Sequence, residues 1–164
     1  RLVEELAGVD VRGDPATALR HPYVDAVVRE SLRLDSGFPH TVRQLRAPME
    51  LLGYRLPAGT EVAPSMYLAH RSPTAYSDPL AFRPERFPAE NPRPGAWFPF
   101  GGGARRCVGM TSAMQQIKIV LALELKRARL SFASRRPVVP VRRHLMLVPS
   151  GGVPVVLRAR SARA

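Results

Sequence analysis

Apolar residues recur at helical spacing in two main stretches of the chain. The longer stretch, residues 110–125, has an apolar residue at nearly every third or fourth position and predicts a helix over residues 107–127. The other begins at Pro22, a residue suited to the first turn of a helix, and predicts a helix over residues 22–34. A shorter amphipathic pattern predicts a helical segment within residues 1–8.

Short apolar segments separated by turn residues predict β-structure in two further places. Residues 47–64 predict a small antiparallel sheet with glycine turns between its strands. Residues 141–157 predict a C-terminal β-hairpin whose turn is the sequence Pro-Ser-Gly-Gly at 149–152. Residues 71–99 are rich in proline and predict an irregular, packed meander. Glycine and proline, 12 and 17 of the 164 residues, are too frequent for a helical bundle, so we expect one partial α+β domain over residues 1–164.

Composition excludes several kinds of protein. With one cysteine, the chain can form no internal disulfide and no multi-cysteine zinc or iron–sulfur site. No apolar run approaches the roughly 20 residues of a membrane span, so no membrane segment is expected in this chain. The first six residues include two acids and lack the apolar core of a signal peptide.

The net charge of +12 is concentrated in the second half of the chain. Residues 1–90 contain 11 basic and 12 acidic side chains, whereas residues 91–164 contain 14 basic side chains and one acid. A nucleic-acid surface would interleave aromatic residues with its arginines, but residues 101–164 contain a single aromatic side chain, Phe132. The charge is therefore interpreted either as a solvated arginine-rich surface or as a face for an acidic protein partner.

Residues 98–109 place the lone cysteine, Cys107, in a glycine-rich loop next to the longer predicted helix. The positive end of the helix dipole and the neighbouring Arg105 and Arg106 favour the thiolate form of the side chain. Glycines without a Cβ allow the backbone to approach a flat ligand closely. An anionic sulfur held in this way can be an axial ligand of haem iron. The loop taken alone also allows an inert, buried cysteine.

The spacing Phe-x-x-Gly-x-Arg-x-Cys-x-Gly at residues 100–109 resembles the cysteine–haem loop of the cytochrome P450 family. Two further motifs occur in the order found in that family. Glu30 and Arg33 are similar to its Glu-x-x-Arg helix, and residues 82–87 are similar to its Pro-Glu-Arg-Phe meander. The resemblance implies the C-terminal, proximal part of that fold, incomplete and most similar to the soluble bacterial members.

The resemblance also implies roles for individual residues. Cys107 is expected to be the axial ligand of haem b, iron protoporphyrin IX. Further cofactor contacts are expected at Phe100, Gly101, Gly103, Arg105, Gly109 and Arg43, with the two arginines pairing with haem propionates. Glu30, Arg33 and Arg86 are expected to form a buried triad in which two guanidinium forks bind one carboxylate. Substrate-pocket residues are expected at Phe38, His40, Thr41, Val42, Leu145 and Met146.

The function implied by the resemblance is that of a cytoplasmic haem-thiolate monooxygenase. Such an enzyme inserts one oxygen atom of O₂ into a small apolar substrate, using two electrons from an acidic ferredoxin or a flavoprotein reductase. Three alternatives stay open. The chain could be a truncated and inactive haem-domain fragment, a haem-thiolate enzyme of another reaction type such as a peroxygenase or isomerase, or a basic nucleic-acid binder.

Overall fold

The computed structural model describes residues 1–89, 92–93 and 95–159. Within these ranges the helices are α1 (Leu2–Glu5), α2 (Ala16–Arg20), α3 (Pro22–Leu34), α4 (Met66–Ala69), α5 (Arg86–Ala89) and α6 (Met110–Arg127). The strands are β1 (Arg43–Gln44), β2 (Met49–Leu51), β3 (Tyr54–Leu56), β4 (Glu61–Val62), β5 (Ala128–Phe132), β6 (Pro140–Arg143), β7 (Met146–Pro149) and β8 (Val155–Ala159). This mixture of helices and small antiparallel sheets confirms the predicted α+β class. In the part of the chain that is described, no helix is both long and apolar enough to span a bilayer.

The apolar core lies where α2, α3 and α6 pack together. Its fully buried members are Leu6, Val11, Ala18, Val24 and Ala122. Pro22 occupies the start of α3, where its missing N–H leaves no helical hydrogen bond unmade. The buried face of α3 carries Val24 and Val28 at one end but the charged Glu30 and Arg33 at the other. This helix therefore joins the apolar core to a buried polar network.

Helix α6 begins at Met110 rather than at residue 107. Gly109 is its N-terminal capping residue, and the Met110 N–H donates to the Cys107 carbonyl at 3.3 Å. Cys107 therefore lies in the turn before the helix. Within the helix only Ala122 is fully buried, whereas Ile117 and Val120, both on the predicted apolar face, are 39% and 58% exposed.

The sheet predicted over residues 47–64, which would have joined β2, β3 and β4, divides between two sheets. Strands β2 and β3 pair as a hairpin through a turn at Leu52 and Gly53, which both have positive φ. Strand β4 pairs with β1, not with β3, so the prediction was wrong for its third strand. The turn at Gly59, where φ is +87°, directs the chain back to Leu45: the Gly59 N–H donates to the Leu45 carbonyl at 2.8 Å.

The predicted single hairpin over residues 141–157 is also wrong. Strand β7 pairs with β6 through a tight turn at His144. Strand β8 instead pairs with β5, the strand that directly follows α6. The Gly151-Gly152 segment therefore connects two sheets instead of closing one hairpin. The tight turn escaped prediction because it contains no glycine: His144 itself adopts a φ of 55°.

Candidate active site

A buried carboxylate with arginines on two sides forms the polar centre of the molecule. Helix α3 places Glu30 and Arg33 one turn apart, and Arg33 Nε and Nη2 donate to the two carboxylate oxygens at 2.7 and 2.9 Å. Arg86, from α5, donates its Nε to Glu30 Oε1 at 3.1 Å. All three side chains are almost completely buried. The structure thus brings together the three residues of the predicted triad.

The second arginine binds the carboxylate differently from the prediction. Arg33 forms the expected bidentate pair, but Arg86 uses only its Nε on Glu30 and donates its Nη1 to the Ser77 carbonyl at 3.0 Å. The Arg83 backbone N–H also donates to Glu30 Oε1, at 2.8 Å. Arg86 presents no second fork to the carboxylate, because its Nη1 and Nη2 donate to the backbone carbonyls of Ser77, Asp78 and Ala81.

The hydrogen bonds keep Glu30 ionised although it is buried. Burial alone would raise the pKa of the carboxyl group, but hydrogen bonds from the Arg33 side chain and the Arg83 amide, with Arg86, lower the pKa below its usual range. The two guanidinium groups also lie over the ring of Tyr76, at 4.9 Å for Arg33 and 5.6 Å for Arg86.

The cysteine loop closes on itself through backbone hydrogen bonds. The Cys107 N–H donates to the Phe100 carbonyl at 2.9 Å, and the Gly101 N–H donates to the Phe98 carbonyl at 2.8 Å. Gly101 and Gly103 have φ values of +73° and +64°, which favour glycine. The loop therefore needs glycine for its backbone shape at two of its predicted positions.

The surface of this loop suits a flat ligand with an iron centre. Cys107 is exposed, and its Sγ lies 3.7 Å from the position that a Cβ on Gly109 would take. A Cβ added at Gly102 or Gly103 would meet no atom within 4 Å, so the backbone there is open to close approach. An accessible thiol beside a bare glycine backbone fits a haem, whose iron can take a cysteine thiolate as a ligand.

The two arginines predicted to bind propionates differ in their surroundings. Arg105 is exposed in the 3₁₀ turn Gly103–Arg105, two residues before Cys107. Arg43, in β1, is half-buried, and its Nη1 donates to Thr41 Oγ1 and to the Val42 carbonyl, both at 2.7 Å. Arg43 Nη1 thus binds groups next to Arg43 in its own segment.

The two predicted pocket segments contact each other although about a hundred residues separate them. The Leu147 N–H donates to the Gly37 carbonyl at 2.6 Å, and a Cβ on Gly37 would lie 3.7 Å from Met146 Cε. Next to this contact, Phe38 and Leu145 are exposed apolar side chains. His40 forms a backbone bridge with Ser65, and its side chain is exposed. Thr41 is half-buried, and Val42 is exposed.

Sequence reasoning missed three side chains beside the cysteine loop. His70 Nε2 accepts the Phe98 N–H at 3.0 Å, Tyr76 OH donates to the Ala96 carbonyl at 2.9 Å, and Trp97 Nε1 donates to the Arg29 carbonyl at 3.1 Å. Burial lowers the pKa of His70 to about 4, and the charges of Arg33 and Arg71 act in the same direction. No local spacing signals these long-range contacts.

Comparison with known proteins assigns the family. The sequence matches the model of the family described as cytochrome P450 over residues 14–154. The chain belongs to the cytochrome P450 family. Members of this family bind haem and are generally haem-thiolate monooxygenases that receive electrons from ferredoxins or reductases.

Curated P450s from bacteria and animals resemble this chain. Cytochrome P450 135B1 of Mycobacterium tuberculosis is 39% identical over 155 residues, which are 94% of this chain and 32% of that protein. Cytochrome P450 4V2 of Rattus norvegicus is 34% identical over 141 residues, which are 84% of this chain and 27% of that protein. The chain spans about a third of the length of these relatives.

Solved P450 structures share the fold. The cyanobacterial CYP120A1 with retinoic acid bound superposes with a TM-score of 0.88 and 26% identity, covering 96% of this chain and 37% of that chain. The haem domain of cytochrome P450DA superposes with a TM-score of 0.86 and 27% identity, covering 96% and 36%. The expected fold, an incomplete P450 fold, is thereby confirmed.

We predict that Glu30→Gln is strongly destabilising. The substitution keeps the shape of the side chain but leaves two buried guanidinium groups without a counter-charge, and we expect a loss of about 3–5 kcal/mol in the free energy of unfolding. Glu85→Gln is the matched control, because Glu85 also pairs with an arginine but is 48% exposed; we expect a loss below about 1 kcal/mol. Urea unfolding measures both, and equal losses would contradict the prediction.

We also predict a pH dependence that belongs to His70. The pKa of this group in the folded chain, about 4, lies below its ordinary value of 6.5, so the unfolded chain binds the proton more tightly. Stability is therefore complete above about pH 6.5 and falls as the pH drops towards 4. Relative to His70→Gln, the wild-type chain should lose roughly 3 kcal/mol across this window. Parallel stability curves for the two chains would refute the assignment.

Proposed function

We propose that this chain forms the thiolate-ligand part of a haem-thiolate monooxygenase, with Cys107 as the axial ligand of haem b. The observation that carries the proposal is the exposed thiol in a glycine loop whose backbone is open to approach. When bound, the haem supplies the activation of O₂ that allows one oxygen atom to enter a substrate, and thiolate donation favours O–O cleavage.

The residues around Cys107 hold the ligand loop in place. The hydrogen bond from the Cys107 N–H to the Phe100 carbonyl fixes the position of the ligand relative to the loop. Phe100, half-buried, is proposed to pack near the bound haem on the side of the ligand. Gly101 and Gly103 give the loop its shape, and Gly109, the N-terminal capping residue of α6, is proposed as a haem contact beside the ligand.

Arg105 and Arg43 are the proposed partners of the haem propionates. Each guanidinium group can bind a carboxylate through two parallel hydrogen bonds. Arg105, two residues before Cys107, is the more available of the two because it is exposed, whereas Arg43 is half-buried. Arg43 keeps Thr41 and the Val42 carbonyl as partners on one nitrogen, Nη1, which leaves its other nitrogens for a propionate.

The contact between the two pocket segments supports a small apolar substrate. Phe38, Val42, Leu145 and Met146 present apolar side chains to solvent around the hydrogen bond that joins the segments. His40 and Thr41 add polar groups that could orient a substrate at this surface. The retinoic acid named for the cyanobacterial neighbour is consistent with an apolar substrate class.

The proposed electron donor is an acidic ferredoxin or flavoprotein reductase. The basic half of the chain, residues 91–164, contains the cysteine loop, and Arg105 and Arg106 are exposed within that loop. The expected cytoplasmic location stays a prediction.

We predict salt-sensitive binding of an acidic ferredoxin. Because exposed charges are screened beyond about 10 Å at 0.1 M salt, the affinity should fall steeply as salt is raised. Arg106→Glu, next to Cys107, should weaken binding severalfold, whereas the matched reversal Arg55→Glu, in the near-neutral first half, should not. Titration calorimetry at several salt concentrations checks this, and a salt-independent affinity would contradict it.

A catalytically inactive fragment is the second candidate, and two observations favour it. The chain spans about a third of its curated relatives, and an apolar face of α6 that includes Ile117 and Val120 is exposed. A haem needs protein on both faces to be shielded from water. The number of haems retained per chain separates the two candidates.

A peroxygenase or isomerase would share the same ligand loop.

We predict that the chain supplied with haem gives the red-shifted Soret band of a thiolate-ligated ferrous–CO complex. Cys107→Ser should abolish this band, because a serine hydroxyl does not provide a thiolate. The measurement is a CO difference spectrum of both chains at equal haem content. A band of equal position and size in Cys107→Ser would exclude Cys107 as the ligand.

A further inference from the structure

His70 and Tyr76 are buried polar residues that the proposed chemistry does not use, and both contact the segment that leads into the cysteine loop. His70 Nε2 accepts the Phe98 N–H at 3.0 Å, and the imidazole packs edge-on against the Phe98 ring at 5.2 Å. Tyr76 OH donates to the Ala96 carbonyl at 2.9 Å. Two hydrogen bonds, one at Ala96 and one at Phe98, therefore hold this segment.

The geometry defines the protonation of His70. A nitrogen that accepts an N–H cannot itself carry a proton, so the Nε2 of the neutral ring is the acceptor and the proton is on Nδ1. Nδ1 is buried and has no hydrogen-bond partner among the described residues. The acceptor nitrogen of His70 is thus committed to the Phe98 amide, which suits a role in placing that amide.

The same two residues are attached to the arginine network on their other side. Arg33 Nη1 donates to the His70 carbonyl, and the Tyr76 ring lies beneath the guanidinium groups of Arg33 and Arg86. Residues 70–76 therefore connect the buried Glu30 network to the loop. The connection continues through the loop, since Phe98 accepts the Gly101 N–H and Phe100 accepts the Cys107 N–H.

We propose that His70 and Tyr76 are positioning residues, which set the location of the Cys107 thiol by holding residues 96–98 against the buried arginine network. The importance of that location for haem ligation rests on the proposed function. The hydrogen-bonded connection from the arginine network to the loop does not depend on that function. It can therefore be tested in the chain without haem.

The test is amide hydrogen exchange of the full chain, comparing His70→Gln with His70→Leu. The carbonyl oxygen of glutamine can replace the Nε2 acceptor, whereas leucine removes it. In His70→Leu we expect the Phe98 and Cys107 amides to exchange about tenfold faster relative to those of the β5–β8 ladder. In His70→Gln we expect most of the protection to return. An equal rise at the ladder and at the loop would show a merely structural role and overturn the proposal.

Tyr76→Phe provides a milder variant in case His70→Leu fails to fold. It removes only the hydroxyl that donates to Ala96, and we expect severalfold faster exchange at Phe98 and Cys107. Tyr54→Phe is the matched control, because Tyr54 is 74% exposed in β3. Unchanged exchange at the loop in Tyr76→Phe would overturn the role of Tyr76.

The two hypotheses can fail separately. When the variants are supplied with haem, misplacement of the thiol should lower the fraction of the thiolate-ligated CO band at equal haem content. If the wild-type chain forms no such band but the exchange pattern is as expected, the proposed function fails and the positioning role stands. If the band forms and is equal in wild type and His70→Leu, the ligand needs no such positioning and the proposal is overturned.

Discussion

The buried carboxylate of Glu30 is the interaction on which the rest of the structure depends. A charge in a protein interior is tolerated only when it is paired and hydrogen-bonded, and Glu30 meets this condition with Arg33, Arg86 and the Arg83 amide. These partners come from α3 on one side and from the meander and α5 on the other. Satisfying one carboxylate therefore fixes how an irregular, proline-rich segment packs against a helix.

The network reaches the candidate ligand through hydrogen bonds rather than through the apolar core. The arginines use their remaining N–H groups on backbone carbonyls of residues 70–81, and this segment in turn holds Ala96 and Phe98. The apolar core lies elsewhere, where α2, α3 and α6 meet. A loop rich in glycine has little side-chain packing of its own, so polar contacts at its start are what can locate Cys107.

Features set by local spacing could be predicted from the sequence, and the distant pairing of Arg86 with Glu30 followed from the family resemblance. The other long-range pairings could not be predicted. The one-turn separation of Glu30 and Arg33 and the loop around Cys107 are local patterns. Partners of β4 and β8 depend on which distant strand the chain meets, and the turn at His144 carries no glycine to mark it. His70 and Tyr76 are single residues whose partners lie about twenty to thirty positions away, which no periodicity reveals.

A double-mutant cycle on Glu30 and Arg86 tests the central claim most directly. Glu30→Gln, Arg86→Gln and the double variant would be compared with the wild-type chain by urea unfolding. If the two side chains depend on each other across α3 and α5, the double variant should be more stable than the sum of the single losses predicts, with a coupling of about 1–3 kcal/mol. Losses that add to within about 0.5 kcal/mol would mean that Glu30 does not hold the meander through Arg86.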